Sequence, residues 1–158
     1  MATQDGNQGH SEANYFRFKT WMDAGIIKDV TAITAHMNNP RRWHRWETNI
    51  YKLPAGQQLP KDMDWDTCVG AVPYHEYNEK YHQGEWRCWY DFGMGALGDW
   101  GAHILDTAHE FLELGLPYEI TMQYEKGHND YFFPYSSTIL FRFAQRKGMP
   151  PVDITWYD

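Results

Sequence analysis

Three stretches in which apolar and polar residues alternate constrain the fold of this chain more than any other feature. They follow one another late in the sequence, with turn-forming residues between them, at residues 118–125, 137–143 and 152–157. An earlier stretch, residues 30–37, has the β-branched content and partial alternation of a strand. Alternation of this kind is typical of strands with one buried face, so the sequence predicts a small sheet.

Two helices are predicted from apolar residues that recur at helical spacing. The first covers residues 11–25, with Ser11 as its N-cap. The second covers residues 95–114 and ends before Pro117. Between them, residues 38–65 have no period, which indicates either a functional loop or a segment that wraps a neighbour. This order predicts an α+β domain with a mainly antiparallel open sheet that helices cover on one face.

Composition excludes several classes of partner. The 158 residues contain 14 Lys and Arg against 21 Asp and Glu, a net charge of −7, whereas a nucleic-acid surface needs clustered cations. No stretch reaches the roughly 18 apolar residues that span a bilayer. Cys68 and Cys88 fit neither a zinc site nor a disulfide scaffold. We therefore expect no nucleic-acid, membrane or metal partner, and the composition is compatible with either a cytoplasmic or a periplasmic protein.

Aromatic residues are unusually frequent, at 17% of the chain. Most such rings fill cores, because each buries a large area with few rotamers to restrict. Rings in loops are better candidates for a surface or pocket that stacks on a ligand. The loop candidates are Trp43, Trp46, Trp86, Trp89 and Tyr90.

The strongest chemical motif is GDWGAHILD, residues 98–106. On a helix, Asp99 and His103 are four residues apart and share a face, and Asp106 follows on the same stripe. A carboxylate beside an imidazole is the arrangement of a general acid/base. A surface ion pair is the alternative interpretation. A metal pair is a weaker one, because a third ligand is not obvious.

The preceding block, GMGALG at residues 93–98, matches the glycine pattern of dinucleotide-binding turns. That pattern requires a hydrophobic strand before it and a βαβ unit around it. Residues 86–92 are aromatic and charged instead, and no parallel strand with a terminal acid follows. The block is therefore not interpreted as a cofactor site.

Several segments resemble the Gfo/Idh/MocA family of oxidoreductases, in the branch with a bacteroidete-type C-terminal domain. The matching segments are TQDGNQGHS at residues 3–11, WMDAG at 21–25, DWD at 64–66, and residues 86–106. In that family a Rossmann domain binds NAD or NADP, and a second domain with an open sheet supplies part of the sugar site. The resemblance implies that residues 1–158 are one truncated substrate domain, joined through residues 1–10 to a Rossmann domain that this sequence lacks.

The resemblance also implies roles for individual residues. The Asp-x-x-x-His motif of the family falls on Asp99 and His103, which would orient a sugar hydroxyl and exchange its proton. Further residues are expected to line the substrate pocket, namely Asn7, His10, Trp86, Arg87, Trp89 and Asp106. Gly9 and His10 would approach the nicotinamide at the junction of the two domains. No cofactor is expected on this chain alone, and the isolated chain is expected to be inactive.

Three functions remain open at the level of sequence. The first is the substrate-side domain of an NAD(P)-dependent oxidoreductase acting on a sugar or sugar derivative. The second is an NAD-dependent glycosidase that oxidises its substrate transiently, as some relatives do. The third is a non-catalytic module for carbohydrate binding or oligomerisation. A homo-oligomer formed through the sheet is expected in each case, because an open sheet face otherwise leaves apolar area in water.

Overall fold

A four-stranded sheet is the framework of the chain, with helices on one side. The computed structural model describes residues 2–3, 6–37, 52–82 and 84–158. The helices are α1 (Ala13–Asp23), α2 (Trp65–Val69), α3 (Gly95–Ile104) and α4 (Asp106–Phe111). The strands are β1 (Ala32–His36), β2 (Glu119–Lys126), β3 (Ser136–Phe143) and β4 (Val152–Tyr157). None of the helices in this part of the chain is long and apolar enough to cross a membrane.

The order of strands in the sheet is β1-β4-β3-β2. β2 and β4 both pair with β3 in antiparallel register, whereas β1 pairs with β4 in parallel, from Ala32 opposite Asp153 to His36 opposite Tyr157. The sheet is therefore mixed but mainly antiparallel, and the predicted α+β class is confirmed. All four predicted strands are present, with bounds that differ by at most two residues.

The helices cover the middle of the sheet but not all of it. Val152, Ile154 and Trp156 of β4 point to the covered face and are fully or almost fully buried. They pack beneath Leu105 and Leu112 in one cluster and beneath Leu97 and Trp100 in the next. β2 is exposed along its whole length, so the covering predicted for one face reaches three strands of the four.

The helix boundaries differ from those predicted. Ser11 is not the N-cap, because it belongs to a 3-10 turn, Gln8–Ser11, and a capping residue needs extended torsions. Glu12 has those torsions and precedes α1. The second predicted helix ends at Phe111 and is divided at Leu105. The N–H groups of Leu105 and His109 still donate to carbonyls four residues earlier, so one stripe of side chains continues across the division.

A second core, made largely of aromatic residues, lies outside the sheet. It is built around α2 and two short turns, Glu79–Tyr81 and Glu85–Cys88. Its buried members are Trp65, Val69, Tyr81, Cys88, Trp89 and Phe132. Half of the segment without a period, residues 38–51, lies outside the described residues, and the other half contributes Met63 and Trp65 to this core.

Replacing Ile154 with alanine is expected to lower the free energy of unfolding by about 3 kcal/mol, since a buried side chain leaves a cavity. Ile154 is 2% exposed at the centre of the covered face. Ile26, in the bend after α1, is the matched control, because it is 69% exposed, and its replacement with alanine should cost less than about 1 kcal/mol. Urea denaturation followed by tryptophan fluorescence measures both. Equal losses would show that the covered face is not the core.

Candidate active site

Helix α3 carries Asp99 and His103 on successive turns of one face. Ala96 is buried beside Trp156 of the sheet, and Gly101 is buried beneath the side chains of Leu97 and Leu105 on its own helical stretch. A side chain at Gly101 would meet Leu97, with a Cβ–Cδ1 distance of 2.9 Å. Packing therefore fixes the helix on one side, and His103 remains exposed on another.

Asn7 holds the ring of His103. Its Oδ1 lies 3.2 Å from Nδ1 of His103, and its Nδ2 donates a hydrogen bond of 3.4 Å to the carbonyl of Ala102. Because the amide nitrogen is directed at a carbonyl, its oxygen is the acceptor for the imidazole, and Nδ1 of His103 carries the proton. Nε2 then keeps its lone pair, which is the state that a general base requires.

Arg87 holds Asp99. Its Nε donates to Oδ1 of Asp99 at 2.7 Å, and its Nη1 donates to the carbonyl of Gly84 at 3.1 Å. The guanidinium also lies over the ring of Trp86, 4.7 Å from the centroid. Asp99 is thus oriented by Arg87, and His103 is oriented by Asn7. Neither side chain is oriented by the other, as the expected Asp–His pair would require.

Close packing and backbone conformation explain why glycine occurs in the block GMGALG, and neither explanation involves a cofactor. A Cβ at Gly93 would lie 2.4 Å from the carbonyl oxygen of Arg87, so only glycine lets the chain pass beneath that residue. Gly95 has φ +68 and sits against the ring of Phe133. The block includes the first turn of α3, and it follows the turn Glu85–Cys88. Among the described residues, no strand leads into it as a dinucleotide turn requires.

A second group of side chains lies one turn further along the helical stretch. His10 contacts Asp106 through Nε2 and Oδ2, and the same nitrogen lies 3.9 Å from Oε2 of Glu110. Tyr15 donates a hydrogen bond of 2.7 Å to Glu110 and stacks on His10 with 4.8 Å between ring centroids. The hydrogen bond to Glu110 raises the pKa of Tyr15 to about 12, so its hydroxyl remains a donor. We call His10, Asp106 and Glu110 the His10 cluster.

The remaining predicted residues differ in their accessibility. Trp86 is 41% exposed, whereas Trp89 is 1% exposed and donates its indole N–H to the carbonyl of Lys80. Trp89 is therefore a core residue, although it also lines a cavity of about 230 Å³, and its expected contact with a ligand stays a prediction. Gly9 lies in the turn beside Asn7 with room for a larger side chain. Trp43 and Trp46 lie outside the described residues.

A cleft of about 410 Å³ lies beside Arg87. Aromatic rings form most of its wall, and its lining residues are Trp65, Cys68, Tyr81, His82, Gly84, Trp86 and Phe92. Two of the lining residues, Gly84 and Trp86, also contact the side chain of Arg87. The cleft therefore adjoins the ion pair between Arg87 and Asp99. A wall of aromatic rings with a few polar groups, such as His82, is suited to a ligand with exposed C–H faces.

Two contributors to this region were missed by the sequence analysis, namely Glu110 and Tyr15. The signal for Glu110 was available, because it follows Asp106 by four residues on the same helix. Tyr15 had no such signal, since its partners are separated from it by most of the chain or by an intervening turn.

Comparison with known proteins assigns the chain to a family. The family described as "Oxidoreductase family, C-terminal alpha/beta domain" matches residues 16–146. The chain belongs to the Gfo/Idh/MocA oxidoreductases. Within the matched part of this Gfo/Idh/MocA domain lie Arg87, Asp99, His103 and the carboxylates of the His10 cluster, whereas Asn7 and His10 precede it. No curated protein matches the chain.

Proposed function

We propose that this domain is the substrate side of an NAD(P)-dependent oxidoreductase that acts on a sugar or sugar derivative. The observation that carries the proposal is the pair of held side chains on α3, in which Asn7 orients His103 and Arg87 orients Asp99. Membership in an oxidoreductase family supports the class of reaction. The aromatic cleft beside Arg87 supports a substrate that presents both hydroxyls and C–H faces.

His103 is proposed as the acid/base. Its Nε2 accepts the proton of a substrate hydroxyl as that carbon is oxidised, while Asn7 accepts a hydrogen bond from Nδ1 and stabilises the imidazolium that forms. Oδ2 of Asp99 accepts a hydrogen bond from a neighbouring hydroxyl, since Oδ1 is engaged by Arg87. These contacts position the reacting carbon. Holding the reacting groups in the correct geometry lowers the activation free energy of the reaction.

The described residues do not fit a dinucleotide, because the glycine block at the start of α3 has no strand leading into it. We propose that another domain of the protein holds the nicotinamide, which supplies the hydride acceptor. Gly9 and His10, in the turn that also carries Asn7, are the residues proposed to approach it.

The test is an assay of the protein that carries this domain together with a dinucleotide-binding domain, with a panel of neutral sugars and their glycosides. Accumulation of reduced nicotinamide, detected by absorbance, supports the proposal. Release of an aglycone without such accumulation would instead identify an NAD-dependent glycosidase. Neither product with any substrate of the panel would contradict the assignment to sugars.

We further propose that the domain forms a homo-oligomer through its sheet. Ile120 and Met122 of β2 lie opposite Phe141 and Ile139, and both are exposed beyond the edge of the helices. Apolar side chains on an unpaired edge strand favour association with a second copy. Replacing Ile120 with lysine should convert the oligomer to a monomer, measured by light scattering after size exclusion. A mass that does not change would exclude β2 from the interface.

A further inference from the structure

The His10 cluster brings together donor groups from two distant parts of the chain. His10 comes from the turn Gln8–Ser11, and the two carboxylates come from α4. One imidazole nitrogen and one oxygen from each carboxylate all lie within 4.8 Å of one another. Three donors at such separations are close enough to share one cation. All three side chains are partly exposed, so a cation can reach them from solvent.

The charges of the cluster are unbalanced. Asp106 and Glu110 are four residues apart on one helix, where like charges destabilise each other. Within the described part of the chain, neither carboxylate forms an ion pair with a lysine or arginine. His10 supplies at most one positive charge, and only when it is protonated. A divalent cation would balance both carboxylates and also use the lone pair of a neutral imidazole.

Tyr15 contacts two residues of the His10 cluster, in the way that neighbouring residues commonly orient the ligands of a metal site. It donates to Oε2 of Glu110 and stacks on the ring of His10, so one residue restrains two of the three donors. Such contacts fix the direction in which a donor atom points before the ion arrives. Exposed side chains that are close together by chance do not require one residue to restrain two of them, so the contacts of Tyr15 favour a binding site.

We propose that His10, Asp106 and Glu110 bind one divalent transition-metal ion, with Zn²⁺ and Mn²⁺ as the fitting candidates. One nitrogen and two carboxylate oxygens suit these ions, whereas Mg²⁺ prefers oxygen donors and retains its water. Three protein donors leave a coordination position for water or a substrate oxygen. The inference goes beyond the proposed reaction, because binding of the ion is measurable without sugar or nicotinamide.

The experiment is calorimetric titration of the untagged 158-residue chain with Zn²⁺ and, separately, Mn²⁺. We expect one ion per chain. Asp106→Asn and Glu110→Gln preserve side-chain shape and should each weaken binding by about 100-fold, as should His10→Ala. Tyr15→Phe removes only the outer contact and should weaken it by roughly 10-fold. His128→Ala is the control, since His128 is an exposed histidine on the loop after β2 and should leave binding unchanged.

Two results would overturn the proposal. One is the absence of any Zn²⁺ or Mn²⁺ binding by the unaltered chain at millimolar concentration. The other is binding that the three donor variants leave unchanged. Circular dichroism shows whether each variant is folded, and the near-isosteric Asn and Gln variants keep the test valid if His10→Ala unfolds. Co²⁺ gives a second readout, because its visible absorption should lose its imidazole contribution in His10→Ala.

Discussion

We expect His103→Ala to lower kcat by roughly two to four orders of magnitude in the protein that couples this domain to a dinucleotide-binding domain. The reason is that Nε2 of His103 is the proposed proton acceptor, held in the required tautomer by Asn7. Affinity for the nicotinamide cofactor should change little, because we propose that another domain of the protein holds the cofactor. Steady-state kinetics and cofactor titration measure the two effects separately.

His109→Ala is the matched control for this prediction. His109 lies on the same helical stretch, but its ring bonds to the carbonyl of Gly115 and it has no assigned part in the reaction. Its replacement should leave kcat unchanged. A kcat that barely responds to His103→Ala would remove His103 from the mechanism, whatever the control shows.

Asn7→Ala provides a kinetic readout that a merely structural role would not produce. Without the acceptor at Nδ1, the imidazole of His103 is no longer held in the orientation and tautomer that leave Nε2 free to accept a proton, so kcat should fall while KM changes little. Steady-state kinetics separate the two constants, and circular dichroism shows that the variant is folded. An unchanged kcat would show that Asn7 does not act through His103.

The second large effect is expected from Arg87→Ala, which should lower kcat/KM by roughly 100-fold, the cost of misplacing a positioning group. Arg87 holds Asp99 through Nε and is itself held by the carbonyl of Gly84 and the ring of Trp86. Removing it leaves a partly buried carboxylate without its cation and free to turn away from the substrate.

Arg87→Lys separates charge from geometry. A lysine restores the positive charge but not the planar group that both meets the carboxylate and stacks on Trp86, so it should recover little of the loss. In a double-mutant cycle, Asp99→Ala and Arg87→Ala should be strongly non-additive, since both remove the same held carboxylate. Additive losses would show that Arg87 and Asp99 act independently.

The strands and the motif on α3 were predictable, but the contacts that orient the motif were not. Alternation and helical spacing are local properties, and they located all four strands and the shared face of Asp99 and His103. Arg87 and Asn7 reach that face across a loop and across most of the chain, respectively. Spacing along the sequence does not predict such contacts, because they depend on the tertiary fold.

The two loop tryptophans illustrate the same limit. Trp86 and Trp89 are three residues apart in a segment without a period, and nothing local distinguishes them. The turn Glu85–Cys88 directs Trp89 into the aromatic core and leaves Trp86 at the surface beside Arg87. The sequence identified both as pocket candidates, and only the tertiary packing separated them.

The parallel pairing of β1 with β4 has a consequence for how the chain acquires its structure. Among the described residues, β1 pairs in the sheet only with β4, and residues 37–151 separate the two strands along the sequence. During translation, β1 stays unpaired until β4 has emerged from the ribosome, and β4 brings both the hydrogen-bond partner of β1 and the buried Trp156 of the core. Completion of the sheet is therefore a late step in the folding of this domain, and a chaperone that shields β1 has the longest time to act.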